Sequence, residues 1–203
     1  MGVFVGEWEE RGNPQRILSL GWHLPVRKSL EGRGALKFVR EGGGQGEYRS
    51  DEIRDLEGAL RHTREIDALN AGRKWALRRF AEKLDAVLAE NIALAVVPSH
   101  DPFLDDPPVR QLARLLCEDR QRTDATGCLA RTQKIQRIVF GGPSYRTLHR
   151  DTIEVRQIEL LRGRTVLLLD DITRSGASLR ACGELLKDAG ASEVQCLALG
   201  RVR

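Results

Sequence analysis

The stretch Thr165 to Leu179, TVLLLDDITRSGASL, constrains this chain more than any other. Val166, Leu167, Leu168 and Leu169 form an uninterrupted apolar run, the pattern of a strand covered on both faces in a parallel sheet. Asp170 and Asp171 come where that strand is expected to end, at the edge where open α/β sheets bind ligands. A short loop of Thr, Arg, Ser, Gly, Ala and Ser follows and opens a helix. Gly176 lets the backbone approach a ligand closely, and the first N–H groups of the helix are free for an anion. Ser175 and Ser178 add hydroxyl donors. Carboxylates for ribose hydroxyls beside a loop for phosphate suit a sugar phosphate.

The rest of the chain supplies what such a strand needs around it. Ile92–Val97 is a second wholly apolar run, again a buried parallel strand, and it ends in Pro98-Ser99-His100-Asp101-Pro102. Helices are expected over residues 50–70 and 73–90, the second with a stripe of Trp75, Leu77, Phe80, Leu84, Val87 and Leu88. Pro107-Pro108 starts another helix, and Thr123 to Gly127 reads as loop. Cys128 to Arg131 is a short strand, and Thr152 to Arg156 alternates like an edge strand. Leu179, Cys182, Leu185, Leu186 and Ala189 mark one helix face, which Gly190 closes, and Val194 to Leu199 is a final apolar strand. Strand, loop, helix and strand make a βαβ unit with a right-handed crossover.

The first 50 residues are the least legible. Arg16–Val26 and Ala35–Arg40 are expected to pair as a hairpin, and Gly42-Gly43-Gly44-Gln45-Gly46 reads as a flexible connection. It is no P-loop, because no Lys-Ser/Thr pair follows. The N-terminus lacks a basic-then-apolar signal pattern, and no apolar run is long enough to span a bilayer, so a cytoplasmic protein is expected. Cys117, Cys128, Cys182 and Cys196 form no C-x-x-C pair and read as free thiols. A net charge of +4 and a pI near 9.1 suit an anionic substrate or nucleic acid, and equally a solvated basic surface.

The run from Thr165 to Leu179 resembles the phosphoribosyl-diphosphate (PRPP) signature of type I phosphoribosyltransferases: an apolar strand, two acids, two residues, then a small hydroxyl- and Gly-rich loop. From about Ile92 onward the order of segments is similar to the competence-associated, ComF-type branch. Many members of that branch carry an N-terminal zinc-binding Cys cluster, which this chain lacks. The resemblance implies an α/β fold: an open, mainly parallel sheet flanked by helices. Residues 1–70 would form a hood or hairpin with a helix, and residues 71–203 the core. It implies phosphoribosyl transfer from PRPP with Mg²⁺, to an acceptor the sequence does not name, with pyrophosphate released.

The roles that follow are those of the family's matching positions. Asp170 and Asp171 would hold the ribose hydroxyls, directly or through metal-bound water, and supply what few protein ligands Mg²⁺ needs. The N–H groups of Arg174, Ser175, Gly176, Ala177 and Ser178 would cradle the 5′-phosphate, while Ser99 and His100 would face the pyrophosphate. Asp101, Asp105 and Asp106 would repel that group unless they face away or meet a metal. Residues Thr132 to Asp151 are basic and resemble the family's mobile segment, which closes a cation over the departing pyrophosphate. Arg131, Lys134, Arg137 and Arg146 are its candidates, with Arg137 the one assigned a catalytic role.

Some members place an acid at the Arg174 position to handle a nucleobase proton, which a guanidinium cannot do, so purine salvage is disfavoured. The alternative is a non-catalytic PRPP- or nucleotide-binding regulator, or an accessory protein for nucleic-acid transactions. Dehalogenase-type phosphatases want Asp-x-Asp, and Ile172 stands where their second Asp belongs. Expected partners are PRPP or a related ribose phosphate and the acceptor, with a homodimer and nucleic-acid contact left open, and no membrane.

Overall fold

Val166–Leu169 and Ala93–Val96 lie side by side because neither has a polar side chain to give to water. Every one of these residues is buried, and Ala93 pairs with Val166 and Val96 with Leu169 in parallel register. The structure, a computed structural model, describes residues 2–20, 22–23, 77–103, 106–118, 120–135 and 146–202. Strands are β1 (Ile17–Ser19), β2 (Trp22–His23), β3 (Ala93–Val96), β4 (Thr123–Asp124), β5 (Leu129–Arg131), β6 (Ile153–Val155), β7 (Thr165–Thr173) and β8 (Glu193–Val202). Helices among the described residues are α1 (residues 77–85), α2 (Pro108–Cys117), α3 (Arg146–Asp151) and α4 (Ala177–Asp188).

The main sheet runs β1-β8-β7-β3-β4 with all pairs parallel, and β2 adds to β8 beyond β1. β5 and β6 form a separate antiparallel pair. This is the α/β architecture the sequence implied, and it is consistent with a type I phosphoribosyltransferase fold. Strand alternation divides the core in two. Leu94, Val96, Leu167, Leu169, Leu197 and Leu199 face α1 and α2, against Leu84, Leu112 and Leu116. Ala95, Val166, Leu168, Val194 and Cys196 face α4 and the β5–β6 pair, against Leu179, Leu186 and Leu129.

Several elements differ from the sequence reading. The helix expected to run to Glu90 stops at residue 85. The N-terminal segment takes the backbone groups beyond it: Val5 N–H donates to the Val87 carbonyl at 2.9 Å and Ala89 N–H to that of Val3 at 2.8 Å. Thr123–Asp124 is not loop but an edge strand, with Thr123 opposite Ala93. β1, expected in a hairpin, joins the core sheet instead, with Ile17 opposite Cys196. The buried Gln195 side chain holds it there, accepting from Asn13 N–H at 2.7 Å and donating to the Arg16 carbonyl at 3.2 Å. The expected partner at residues 35–40, the glycine run and the helix at 50–70 lie outside the described residues. No helix among the described residues is long and apolar enough to cross a membrane.

Candidate functional site

β7 does not end at its acids. It continues to Thr173, because β8 runs alongside it with Ile172 opposite Gly200 and Thr173 opposite Arg201. Alternation aims Asp170 along the Val166 and Leu168 side, toward α4 and the β5–β6 pair, whereas Asp171 follows Leu167 and Leu169. Each carboxylate accepts from the next backbone amide: Asp171 N–H donates to Asp170 Oδ1 at 2.9 Å, and Ile172 N–H to Asp171 Oδ1 at 2.7 Å. Burial, and then the charge of Asp171 beside it, push the Asp170 carboxyl well above the usual carboxylate range.

The loop after β7 turns at Gly176, which has φ +76° and is the N-cap of α4. A Cβ there would sit in the disfavoured left-handed region and 2.3 Å from Ile17 Cδ1, so β1 walls the loop from one side. Arg174 and Ser175 are exposed and Ser178 is half-buried. Arg180, one turn into α4, reaches back to donate from Nη1 to the Ser175 carbonyl at 2.6 Å. Ala177 N–H donates to Ser175 Oγ at 3.3 Å. The first amides of α4 and two hydroxyls thus lie together beyond the acids, an arrangement that can receive a phosphate group.

The loop after β3 lies next door, since β3 pairs with β7. It is held by side chains more than by its own backbone conformation, and none of its described residues is left-handed. Ser99 Oγ and His100 Nδ1 are 3.3 Å apart, and Asp101 N–H donates to Ser99 Oγ at 3.4 Å. Arg131 Nε donates to the Ser99 carbonyl at 2.6 Å, and Ile135 N–H to the His100 carbonyl at 2.9 Å. The acids nearby are answered: Lys134 pairs with Asp101 at 2.6 Å and holds its carboxyl below the usual range, while Arg114 pairs with Asp106 at 3.1 Å. Asp105 lies outside the described residues. A cleft of about 440 Å³ opens here, lined by Ser99, Asp101, Arg110, Arg131 and Arg156, and not by the β7 acids or loop.

The basic residues divide sharply. Arg131 is buried in β5 and is a fixture rather than a mobile cation. Arg146 and Arg150 are tied to α4: Arg146 Nε donates to Glu184 Oε2 at 2.8 Å, and Arg150 reaches Glu184 at 3.0 Å and Asp188 at 2.8 Å. Arg137 lies outside the described residues. Two residues of the site went unnoticed in the sequence. His149, 2 % exposed, and Thr152, fully buried, stand between the two loops. Their segment reads as basic and polar, and nothing in its spacing marks either as interior. Burial pushes the Cys128 thiol up to about 11 and Cys117 to about 12, which disfavours their thiolates.

For Mg²⁺, Asp170 and Asp171 are hard oxygen donors of the right kind, and no group of three or more His, Cys, Asp or Glu gathers among the described residues. That set fits an ion bound mainly through a substrate's own oxygens. A comparison with curated proteins finds no match. A comparison with protein families matches residues 110–202 to the phosphoribosyl transferase domain, a span from within α2 to the end of β8 that takes in the β7 acids and the loop after them. Residues 110–202 of this chain are therefore a phosphoribosyl transferase domain.

Proposed function

We propose that this chain is a phosphoribosyltransferase that binds PRPP with Mg²⁺ and transfers the phosphoribosyl group to an acceptor, releasing pyrophosphate. The observation that carries this reading is the β7–loop–α4 unit, with its acid pair and Gly176 turn, at the carboxyl edge of a parallel sheet inside the matched domain. The amides from Arg174 to Ser178 cradle the 5′-phosphate, and Asp170 and Asp171 hold the 2′- and 3′-hydroxyls. Ser99 and His100 receive the pyrophosphate. Asp170 and Asp171 would also hold Mg²⁺, which when bound offsets charge on the leaving group.

The bond from the ribose C1 to pyrophosphate breaks as the acceptor's bond forms, and the ring carries positive charge between the two. The chain's part is positioning and electrostatics. Arg137 is the proposed cation over the departing pyrophosphate, since Arg131, Lys134 and Arg146 are otherwise engaged. Of residues 1–70, β1 and β2 belong to the core sheet, and the remainder would contribute the hood that selects the acceptor. The competence-associated branch rests on segment order alone.

Titration with PRPP and Mg²⁺, on wild type and on Asp170→Asn/Asp171→Asn, tests this reading, scored for binding and for pyrophosphate release with a panel of bases. Wild type is expected to bind and the variant to lose binding; a wild type that binds no PRPP removes the proposal. One observation favours a second reading, a PRPP-binding regulator. Arg174 stands exposed where some members of the family carry a proton-handling acid. Binding without pyrophosphate release for every acceptor would select it.

A further inference from the structure

A buried polar chain through Arg131, Thr152 and His149 joins the two loops. Arg131 Nε donates to the Ser99 carbonyl at 2.6 Å, and its Nη1 donates to Thr152 Oγ1 at 2.7 Å. Thr152 spends its own hydroxyl proton on the Leu148 carbonyl, at 2.7 Å. Arg131 Nη2 lies 3.5 Å from His149 Nδ1, and His149 Nε2 lies 3.4 Å from Ser178 Oγ. Arg131, His149 and Thr152 are at most 6 % exposed. Both imidazole contacts are at the long end of the hydrogen-bond range, as such contacts often are before a ligand arrives.

The chemistry of the donors fixes the direction of this chain. A guanidinium donates and never accepts, so the Nδ1 that faces Arg131 must carry a lone pair. A neutral imidazole then has its proton on Nε2, where it can only donate, and the acceptor it meets is Ser178 Oγ. The Ser178 hydroxyl proton is left to point elsewhere, into the loop after β7. Burial and the Arg131 charge hold His149 down at about 4, so the ring is neutral at neutral pH. Arg131 is also unlike Arg122, the other buried arginine among the described residues, which pairs with Asp85. Among the described residues no carboxylate forms an ion pair with Arg131, whose charge is met only through space by Asp170.

We propose that Arg131 and His149 are positioning residues: Arg131 fixes the Ser99 turn and the imidazole together, and His149 presents the Ser178 hydroxyl as a donor to a phosphate oxygen in the β7 loop. The proposal rests on the ribose-phosphate reading of that loop. It adds that one buried chain of hydrogen bonds reaches both loops.

Nitrogen-15 NMR of the full chain at neutral pH reads the tautomer without any ligand. A protonated Nε2 with a bare Nδ1 is expected; the opposite tautomer overturns the proposal. Calorimetry with ribose 5-phosphate, and separately with PRPP and Mg²⁺, reads the consequence. His149→Ala and Ser178→Ala should each weaken ribose 5-phosphate by about tenfold. Their combination should cost no more than either alone, and His149→Gln, which keeps an N–H near the Nε2 position, should recover most of the loss. A purely structural His149 would make the two losses multiply and would show no rescue, which overturns the proposal while leaving the wild type's binding intact. A wild type that binds neither probe overturns the ribose-phosphate reading itself, and this inference with it. If His149→Ala fails to fold, the tautomer and the His149→Gln affinity still decide.

Discussion

The loops after β7 and after β3 sit on neighbouring strands of one sheet, yet they are built in opposite ways. The β7 loop is local. A left-handed glycine turns the chain, a helix begins at once, and Arg180 closes back onto Ser175 within five positions. The β3 loop is borrowed. Its carbonyls are held by Arg131 and Ile135, more than thirty residues along the chain, and its acid is neutralised by Lys134. One loop carries its shape in its own residues, and the other acquires shape only when the β5–β6 pair docks beside it.

That contrast can be broken most forcefully at Arg131. Arg131→Leu would leave the Ser99 carbonyl and the Thr152 hydroxyl without their donor, costing about 3 kcal/mol in chemical denaturation. Hydrogen exchange at the Ile135 amide, bonded to the His100 carbonyl, should speed up, while the Arg180 amide, bonded to the Gly176 carbonyl, should stay protected. Equal loosening at both amides would show that the loops are one unit.

Acid should act through the same scaffold. His149 is held near 4 in the folded chain and returns to about 6.5 when unfolded, so the unfolded state binds more protons in between. Stability is therefore full above about pH 6.5 and declines as pH falls toward 4, by about 3 kcal/mol in all. His149→Gln should flatten that part of the stability–pH curve in thermal melts.

Gly176→Ala attacks the local loop instead. The left-handed backbone and the Ile17 contact should cost about 2 kcal/mol and weaken ribose 5-phosphate binding, with Ile135 exchange unchanged. Asp170→Asn should do something different, abolishing PRPP binding while raising stability at neutral pH by about 1 kcal/mol. The Asp170 carboxyl titrates above its unfolded value, so its ionisation in the fold is unfavourable as pH rises, and the gain should vanish in acid. The smallest effect belongs to Lys134→Ala. Its pair with Asp101 should contribute little to stability, and its loss should return the Asp101 carboxyl toward the ordinary range.

The same contrast explains what could be read from the amino acids alone. The apolar runs of β3 and β7, the Gly176 turn and the face of α4 are local patterns, and the sequence reading placed them within a few residues. β4 was missed because two residues on an edge have no pattern, and only pairing with β3 makes them a strand. β7 reads too short from the sequence because its extension to Thr173 depends on the length of β8. Arg131 reads as a mobile cation because a charge in a basic segment reads as solvated, and its burial comes from where β5 docks. His149 and Thr152 were invisible for the same reason. An interior polar network has no period, so it shows only once distant segments are brought together.

The wall that Ile17 raises beside Gly176 carries a consequence for assembly. Asn13, just ahead of β1, bonds to Gln195 of β8 across a separation of 182 residues. During synthesis β1 therefore waits, with its edge unpaired, until β8 leaves the ribosome. Closing so long a loop is slow and is rewarded only by the final strand pairing. The loop after β7 gains its Ile17 wall at that moment, so the proposed competence to hold a phosphate should arrive together with β1–β8 pairing.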